Sequence, residues 1–238
     1  PAMFNDNQKS ATQRAAALAG FTQVELLQEP IAAAMAYGLD EKVKDGQILI
    51  FDFGGGTFDV CLVDVEEGIM QVRDTEGDNW LGGKNLDNAI VDEILMPYVK
   101  ENFTVESFLS DEIKKSLLKS ALKAKAEEIK INLYFADFYD VISNIGEYPE
   151  DDAGEEIELD FEVTHEQMKT TLGPIFQKAI DISKTVLKRN NIAGEDLNSL
   201  ILVGGPTFSP VLREMLIEQI CAPNTSVDPM TVVARGAA

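Results

Sequence analysis

Histidine is nearly missing from this chain: His165 is the only one among 238 residues. Its scarcity removes His-based metal sites and most Ser-His chemistry, and its position after Thr164, at an expected helix start, marks it as structural. Cysteine is almost as rare. Cys61 and Cys221 lie within apolar segments and read as buried thiols rather than a disulfide framework, so a reducing, cytoplasmic compartment is the expectation. No apolar run approaches the ~20 residues of a membrane span, and no signal peptide is visible. Positive charge is short too: 20 Lys and Arg face 41 Asp and Glu, a net charge of −21. Nucleic acid and anionic membrane are therefore poor partners, and an anionic ligand would need a local dipole or metal to reverse the field.

What is present is a chain 45% hydrophobic, enough to bury a proper core as one domain with two subdomains. Its most informative stretch is Ile50-Phe-Asp-Phe-Gly-Gly-Gly-Thr-Phe-Asp59. An apolar strand, Ile48 to Phe53, runs into Gly54, Gly55 and Gly56, then resumes after Thr57 as a second strand, Phe58 to Val65. Three glycines between two strands allow close backbone approach to a ligand, and their N–H groups can converge on an anion. Asp52 and Asp59 flank the turn; two carboxylates beside a phosphate cradle call for a cation between them. The segment reads as a hairpin for the β- and γ-phosphates of a nucleotide with its metal. An ordinary hairpin would more often use a two-residue Asn-Gly or Asp-Gly turn.

Around it, Asn5 to Gly20 is expected as a capped Ala-rich helix, Val24 to Leu27 as a short strand, and Pro30 to Tyr37 as a helix. A third strand follows near Ile69 to Thr75. A helix runs from Asn85 to about Lys100, broken or bent by Pro97, and a long amphipathic helix from Asp111 to about Leu133. Phe138 to Ile142 and Ile157 to Val163 are strand-like, and the acidic stretch Glu147 to Glu158 between them reads as a solvated loop. Thr164-His-Glu-Gln opens a helix to about Arg189 with a capping box. Ser199 to Val203 is a buried strand ending in Gly204-Gly205, before a Pro210-initiated helix to Cys221. The pattern fits a three-layer α/β domain carrying an inserted α+β subdomain. Pro1 is no initiator Met, and the closing Arg235-Gly-Ala-Ala reads as a cut helix, so a fragment is expected.

Phe4-Asn-Asp-Asn-Gln, Gln28-Glu-Pro-Ile-Ala-Ala-Ala-Met-Ala-Tyr-Gly, the glycine turn, Leu81-Gly-Gly, Leu202-Val-Gly-Gly and the closing Asp228-Pro…Gly-Ala-Ala occur in one order. In this the chain resembles the ATPase domain of the seventy-kilodalton heat-shock chaperones, the DnaK family, along its whole length. Other actin-fold proteins, such as sugar kinases and filament formers, share the phosphate hairpin but not the Gln28 block. The resemblance implies an actin-like (ribonuclease H-like) ATPase lobe, the second of two. Its large subdomain would comprise 1–84 and 191–238 and its inserted subdomain 85–190. The first lobe, with another phosphate loop and a catalytic Lys, and the peptide-binding domain would lie elsewhere in the parent protein.

Carried over residue by residue, the resemblance implies ATP or ADP with Mg²⁺, and K⁺ beside it. Gly54, Gly55, Gly56 and Thr57 would contact phosphate, with the Thr57 hydroxyl near the γ-phosphate and Gly82 and Gly83 adding contacts. Asp52, Asp59 and Glu29 would hold or orient the metal shell and the attacking water, Glu29 through water. Glu127, Lys130 and Tyr134 fall at i, i+3 and i+7 and would face the ribose; without the resemblance the first two read as a surface ion pair. Gly204, Gly205, Pro206 and Phe208 would lie at the base.

Several positions depart from the family pattern. Tyr134 replaces a small Ser, Phe208 an Arg that stacks on adenine, Pro206 a small polar residue, Met230 an Asp and Lys84 a Glu. Tyr134 and Phe208 either sandwich adenine by stacking or close its slot. Implied partners are unfolded client proteins, a J-domain co-chaperone and a nucleotide-exchange factor. Glu25 in place of Arg and Ile31 in place of Thr predict weak binding of a standard J-domain. Two functions follow: a chaperone ATPase lobe inactive by itself, or a chaperone-like regulator or exchange factor with altered or lost nucleotide binding.

Overall fold

The computed structural model of the chain describes residues 4–40 and 45–238. They divide into two compact units, one of residues up to Gly83 with Gln177–Phe208 and Arg213–Ala238, the other of Lys84–Phe176 with Ser209–Leu212.

The first unit is built on a four-stranded sheet. Strands β1 (Gly46–Phe53), β2 (Phe58–Glu66) and β3 (Ile69–Asp78) form an antiparallel meander. The strand Ser199–Val203, the last in the chain and here β6, adds to the open side of β1 in parallel, giving the order β3-β2-β1-β6. Successive side chains on a strand point to opposite faces, and β1 and β2 are apolar on both. One face carries Ile48, Ile50, Cys61, Val63, Val65, Ile201 and Val203, packed with Ala33, Ala34, Ala36 and Tyr37 of helix α2 (Glu29–Asp40). The other carries Phe51, Phe53 and Phe58, whose rings cluster with centroids 4.7 to 6.4 Å apart.

Alanines on α2 allow close packing by the C-terminal helix Val232–Ala237. A Cβ on Gly236 would stand 1.7 Å from the Ala32 carbonyl oxygen. Ahead of α2, helix α1 (Asp6–Leu18) starts at an Asn5–Gln8 capping box and stops near Gly20, whose φ of +97° suits glycine. The expected strand at 24–27 is not formed: residues 22–28 have no regular structure. Val24 to Leu27 has strand-like composition, but a strand exists only by pairing, and no strand lies beside it among the described residues.

In the second unit, helix α3 (Gly83–Ile90) passes through a π-helical turn at Val91–Leu95 into α4 (Met96–Asn102). The expected break at Pro97 is thus absorbed. Proline has no N–H for the carbonyl four residues back, and the wider turn, with Met96 N–H donating to the Val91 carbonyl, lets the helix continue. After α5 (Glu106–Ser110) comes α6 (Glu112–Asn132), capped by the Asp111 carboxylate at the Ile113 and Lys114 N–H groups. Strands β4 (Phe138–Ile142) and β5 (Asp160–Thr164) form a two-stranded antiparallel sheet. Helix α7 (His165–Arg189) opens on the expected Thr164–Gln167 box and runs from this unit into the first. Helix α8 (Pro210–Gln219) also spans the boundary.

The acidic stretch 147–158 is not merely solvated loop. Tyr148 and Ile157 are buried, and Asp151 accepts N–H groups of Thr104, Ala153 and Glu155. Asp152 accepts those of Ser107 and Phe108, capping α5. The carboxylates that read as solubilising charge satisfy orphan backbone donors instead.

Candidate functional site

Strand parity sets the chemistry of the site. Ile48, Ile50 and Asp52 share one face of β1; Asp59, Cys61 and Val63 share the same face of β2, and Asp52 lies directly opposite Asp59 in the ladder. The apolar members bury under α2, and the two carboxylates emerge where the strands reach the glycine turn. There Glu29, the first residue of α2, joins them along one cleft of about 380 Å³. Gly54, Gly55, Thr57, Val203, Gly204, Gly205, Pro229, Met230 and Val233 line the rest. Among the described residues no lysine, arginine or histidine lines it.

The turn is held by backbone. Gly54 N–H donates to the Thr57 carbonyl at 2.9 Å, and Gly83 N–H donates to the Gly54 carbonyl at 2.9 Å. Its surroundings admit no side chain. A Cβ on Gly82 would lie 2.5 Å from the Gly56 Cα, one on Gly204 (φ +92°) 2.2 Å from the Phe53 carbonyl oxygen, and one on Gly77 2.5 Å from the Phe58 oxygen. Gly55 is different, with nothing within 4 Å of the same position, so it faces open space. Gly77, opposite Asp59 in β3, was not singled out from the sequence. A glycine inside an otherwise regular strand was the available signal.

Burial in this cleft raises the pKa of both aspartates. Asp52 is pushed up to about 7, first by burial and then by Glu29 and Asp59. Asp59, only 8% exposed, is raised as well, again chiefly by burial. A cation entering between them would relieve both. Among the described residues no three Asp, Glu, His or Cys side chains form a ready ligand cluster. An ion held here would thus draw part of its shell from water and ligand oxygens, as Mg²⁺ ordinarily does.

The loop after β6 is also fixed. Gly204 N–H donates to the Pro229 carbonyl, and the Thr207 hydroxyl donates to the Gly204 carbonyl at 2.7 Å. Pro206 is buried, with its Cγ 3.4 Å from a Cβ position on Gly83. Phe208 is half-buried, and the Arg213 guanidinium lies 5.6 Å from its ring centroid while donating from Nε to the Thr207 carbonyl. Arg213 went unremarked in the sequence; an arginine five residues past an aromatic carries no signal until a helix turns it back.

Glu127, Lys130 and Tyr134 belong to the second unit. Glu127 is exposed, whereas Lys130 is 6% exposed and paired with Asp87, itself 6% exposed. Helix α6 ends before Tyr134, which sits in the following turn. Its hydroxyl is buried without a hydrogen-bond partner among the described residues, and burial, Asp87 and Glu127 all raise its pKa. Asp87 lies 43 residues from Lys130, and no spacing rule connects them. Of the two cysteines, Cys61 is buried, its thiol pushed up to about 12, and Cys221 is half-buried; both are free.

The model for the Hsp70 protein family matches residues 1–238. The chain is 36% identical over 239 residues to the chaperone protein DnaK of Methanothermobacter thermautotrophicus, covering all of this chain and 39% of that protein. It is 36% identical to the mitochondrial iron-sulfur cluster biogenesis chaperone of Saccharomyces cerevisiae, again over all of this chain and 35% of the relative. The DnaK of Nitrosopumilus maritimus is 33% identical, with 36% of its length covered. The chain therefore spans between a third and two fifths of these relatives.

Proposed function

The chain belongs to the Hsp70 family, and from that membership we propose that it forms one wall of the nucleotide cleft of a chaperone ATPase. The observation that carries this reading is the pairing of Asp52 with Asp59 beside a glycine turn whose neighbours leave no room for a Cβ. The backbone of Gly54 to Thr57 would cradle phosphate, with Gly82 and Gly83 bracing it. Gly204 and Gly205 would carry the nucleoside end of the same cleft, with Pro206 and Phe208 beyond it. Within the second unit, Glu127, Lys130 and Tyr134 remain the proposed ribose contacts.

Asp52, Asp59 and, through water, Glu29 would hold Mg²⁺, with K⁺ as a second candidate ion. The cleft fits a cation: burial raises the pKa of Asp52 and Asp59, and among the described residues no lysine, arginine or histidine lines it. A bound metal would neutralise charge on the transferred phosphoryl group. The chain's own part is to fix phosphate by backbone N–H groups and to orient water by Glu29 and Thr57.

On this proposal the first lobe and the peptide-binding domain of the parent protein complete the machine, and hydrolysis drives client folding cycles through J-domain and exchange-factor partners. This chain alone would bind nucleotide weakly and turn none over. Among the described residues no helix is long and apolar enough to cross a membrane. The test is calorimetric titration of Mg-ATP and Mg-ADP into the full-length protein carrying this chain, wild type beside Asp52→Asn and Gly204→Ala. Tight binding that falls about tenfold or more in both variants is expected; unchanged affinity in both would refute the assignment.

A further inference from the structure

A second concavity lies wholly within the second unit, independent of the nucleotide cleft. It measures about 490 Å³ and is lined by the π-turn and α4, the first turns of α7, and Phe161 of β5. Its wall is a stacked aromatic pair, Tyr98 and Phe161, with ring centroids 4.3 Å apart and planes 22° from parallel. The Tyr98 hydroxyl is tied to the Asp160 backbone, donating to its carbonyl and accepting its N–H, which fixes that ring.

Around the rings stand three carboxylates, Glu93, Glu101 and Glu166, and among the described residues no lysine, arginine or histidine lines the pocket. None of the three is ion-paired among the described residues. Thr171 adds a polar group that is 6% exposed and lines the same space. Thr170 and Thr185 in the same helix donate to carbonyls four residues back, whereas the Thr171 hydroxyl makes no such bond among the described residues.

We propose that this pocket receives an arginine side chain of a partner protein. A guanidinium is planar and weakly hydrated, so it stacks on aromatic rings while its N–H groups fork to carboxylates. The Thr171 hydroxyl accepts one further donor. A lysine ammonium is a compact charge that uses the rings and the spread of three carboxylates less well. The π-turn is part of the design: it displaces Glu93 and Ile94 from regular helical positions, and both line the pocket.

The experiment is an amide-shift titration by NMR of the full ¹⁵N-labelled chain with acetyl-Gly-Gly-Arg-Gly-Gly-amide. The citrulline peptide and spermidine serve as parallel probes. Saturable shifts centred on Phe161, Glu166 and Thr171 are expected with the arginine peptide and none with citrulline. The double variant Glu93→Gln, Glu166→Gln should weaken the arginine peptide about tenfold, and Thr171→Val should weaken it less. The proposal is overturned if shifts scatter over the acidic surface, if citrulline matches arginine, if spermidine competes at equal strength, or if the double variant binds normally.

Discussion

Gly82 rests on Gly56: a Cβ placed on Gly82 would stand 2.5 Å from the Gly56 Cα and equally close to its nitrogen. The neighbour is backbone, so nothing can swing aside. Gly82→Ala must push the hairpin at residues 54–57 away from the loop that leads into α3. We expect a loss of about 1–3 kcal/mol in urea unfolding, the range of overpacking in a well-filled site. Gly55→Ala, with open space at the same position, should cost under about 1 kcal/mol. Equal losses from the two changes would contradict this geometry.

Asp52 gives a pH-dependent prediction. Its folded value is about 7 against an ordinary 3.8, raised by burial and then by Glu29 and Asp59. A raised acid binds its proton more tightly when folded, so its stability contribution is full below pH 3.8. That contribution is lost as pH climbs through about 7. Asparagine resembles the protonated acid and escapes the loss. In metal-free buffer Asp52→Asn should match wild-type stability near pH 4 and exceed it increasingly up to pH 7, by at most about 4 kcal/mol. A gap independent of pH, or a less stable variant at pH 8, would refute it.

The first unit was legible where local pattern and pairing agree. The Ile48–Phe53 strand, the glycine turn and the resumed strand required each other, and Asp52 opposite Asp59 follows from a symmetric hairpin. Thr164 and Pro210 announced their helices through capping and proline chemistry. What was missed rests on contacts between distant segments. Gly77 is needed because of the Phe58 carbonyl, and Lys130 is buried because of Asp87. The Val24–Leu27 stretch reads as a strand by composition alone, and composition cannot supply a neighbour. Asp151 and Asp152 looked like surface charge because the sequence does not reveal which N–H groups surround a carboxylate.

Arg189 ends α7 by clamping the sheet edge. Nε and Nη2 donate to the two oxygens of Asp74, Nη1 donates to Glu76 at 2.8 Å, and Nη2 also reaches the Thr75 carbonyl. This fork holds the Asp74 carboxyl below the usual range. Arg189→Lys keeps the charge and loses the fork. Since the side chain is 39% exposed, solvent screening limits the cost to about 1 kcal/mol near pH 7. Asp74, a lowered acid, contributes stability above its ordinary range and loses it as pH falls through its folded value. The Arg189→Lys deficit should therefore shrink as pH falls below the ordinary 3.8 of Asp74; urea unfolding reads it, because guanidinium salt screens the same pair.

Tyr134 and Lys130 share Asp87 as a neighbour and predict opposite outcomes. Lys130 and Asp87 are a buried pair, so Asp87→Asn strands an ammonium in a low dielectric and should cost about 3 kcal/mol. The Tyr134 hydroxyl is buried with no partner among the described residues and lies in the field of Asp87 and Glu127. Its removal releases an unsatisfied polar group, so Tyr134→Phe should be neutral or stabilising by about 1 kcal/mol in the ligand-free chain. In the full-length protein the same variant separates the two roles open to this ring. If the ring stacks on a base, Tyr134→Phe retains Mg-ADP affinity and Tyr134→Ala weakens it. If the ring closes the slot, Tyr134→Ala strengthens binding. Calorimetry on both variants, beside urea unfolding of the chain, reads each outcome; a marked loss of stability in Tyr134→Phe would show that the hydroxyl has a partner.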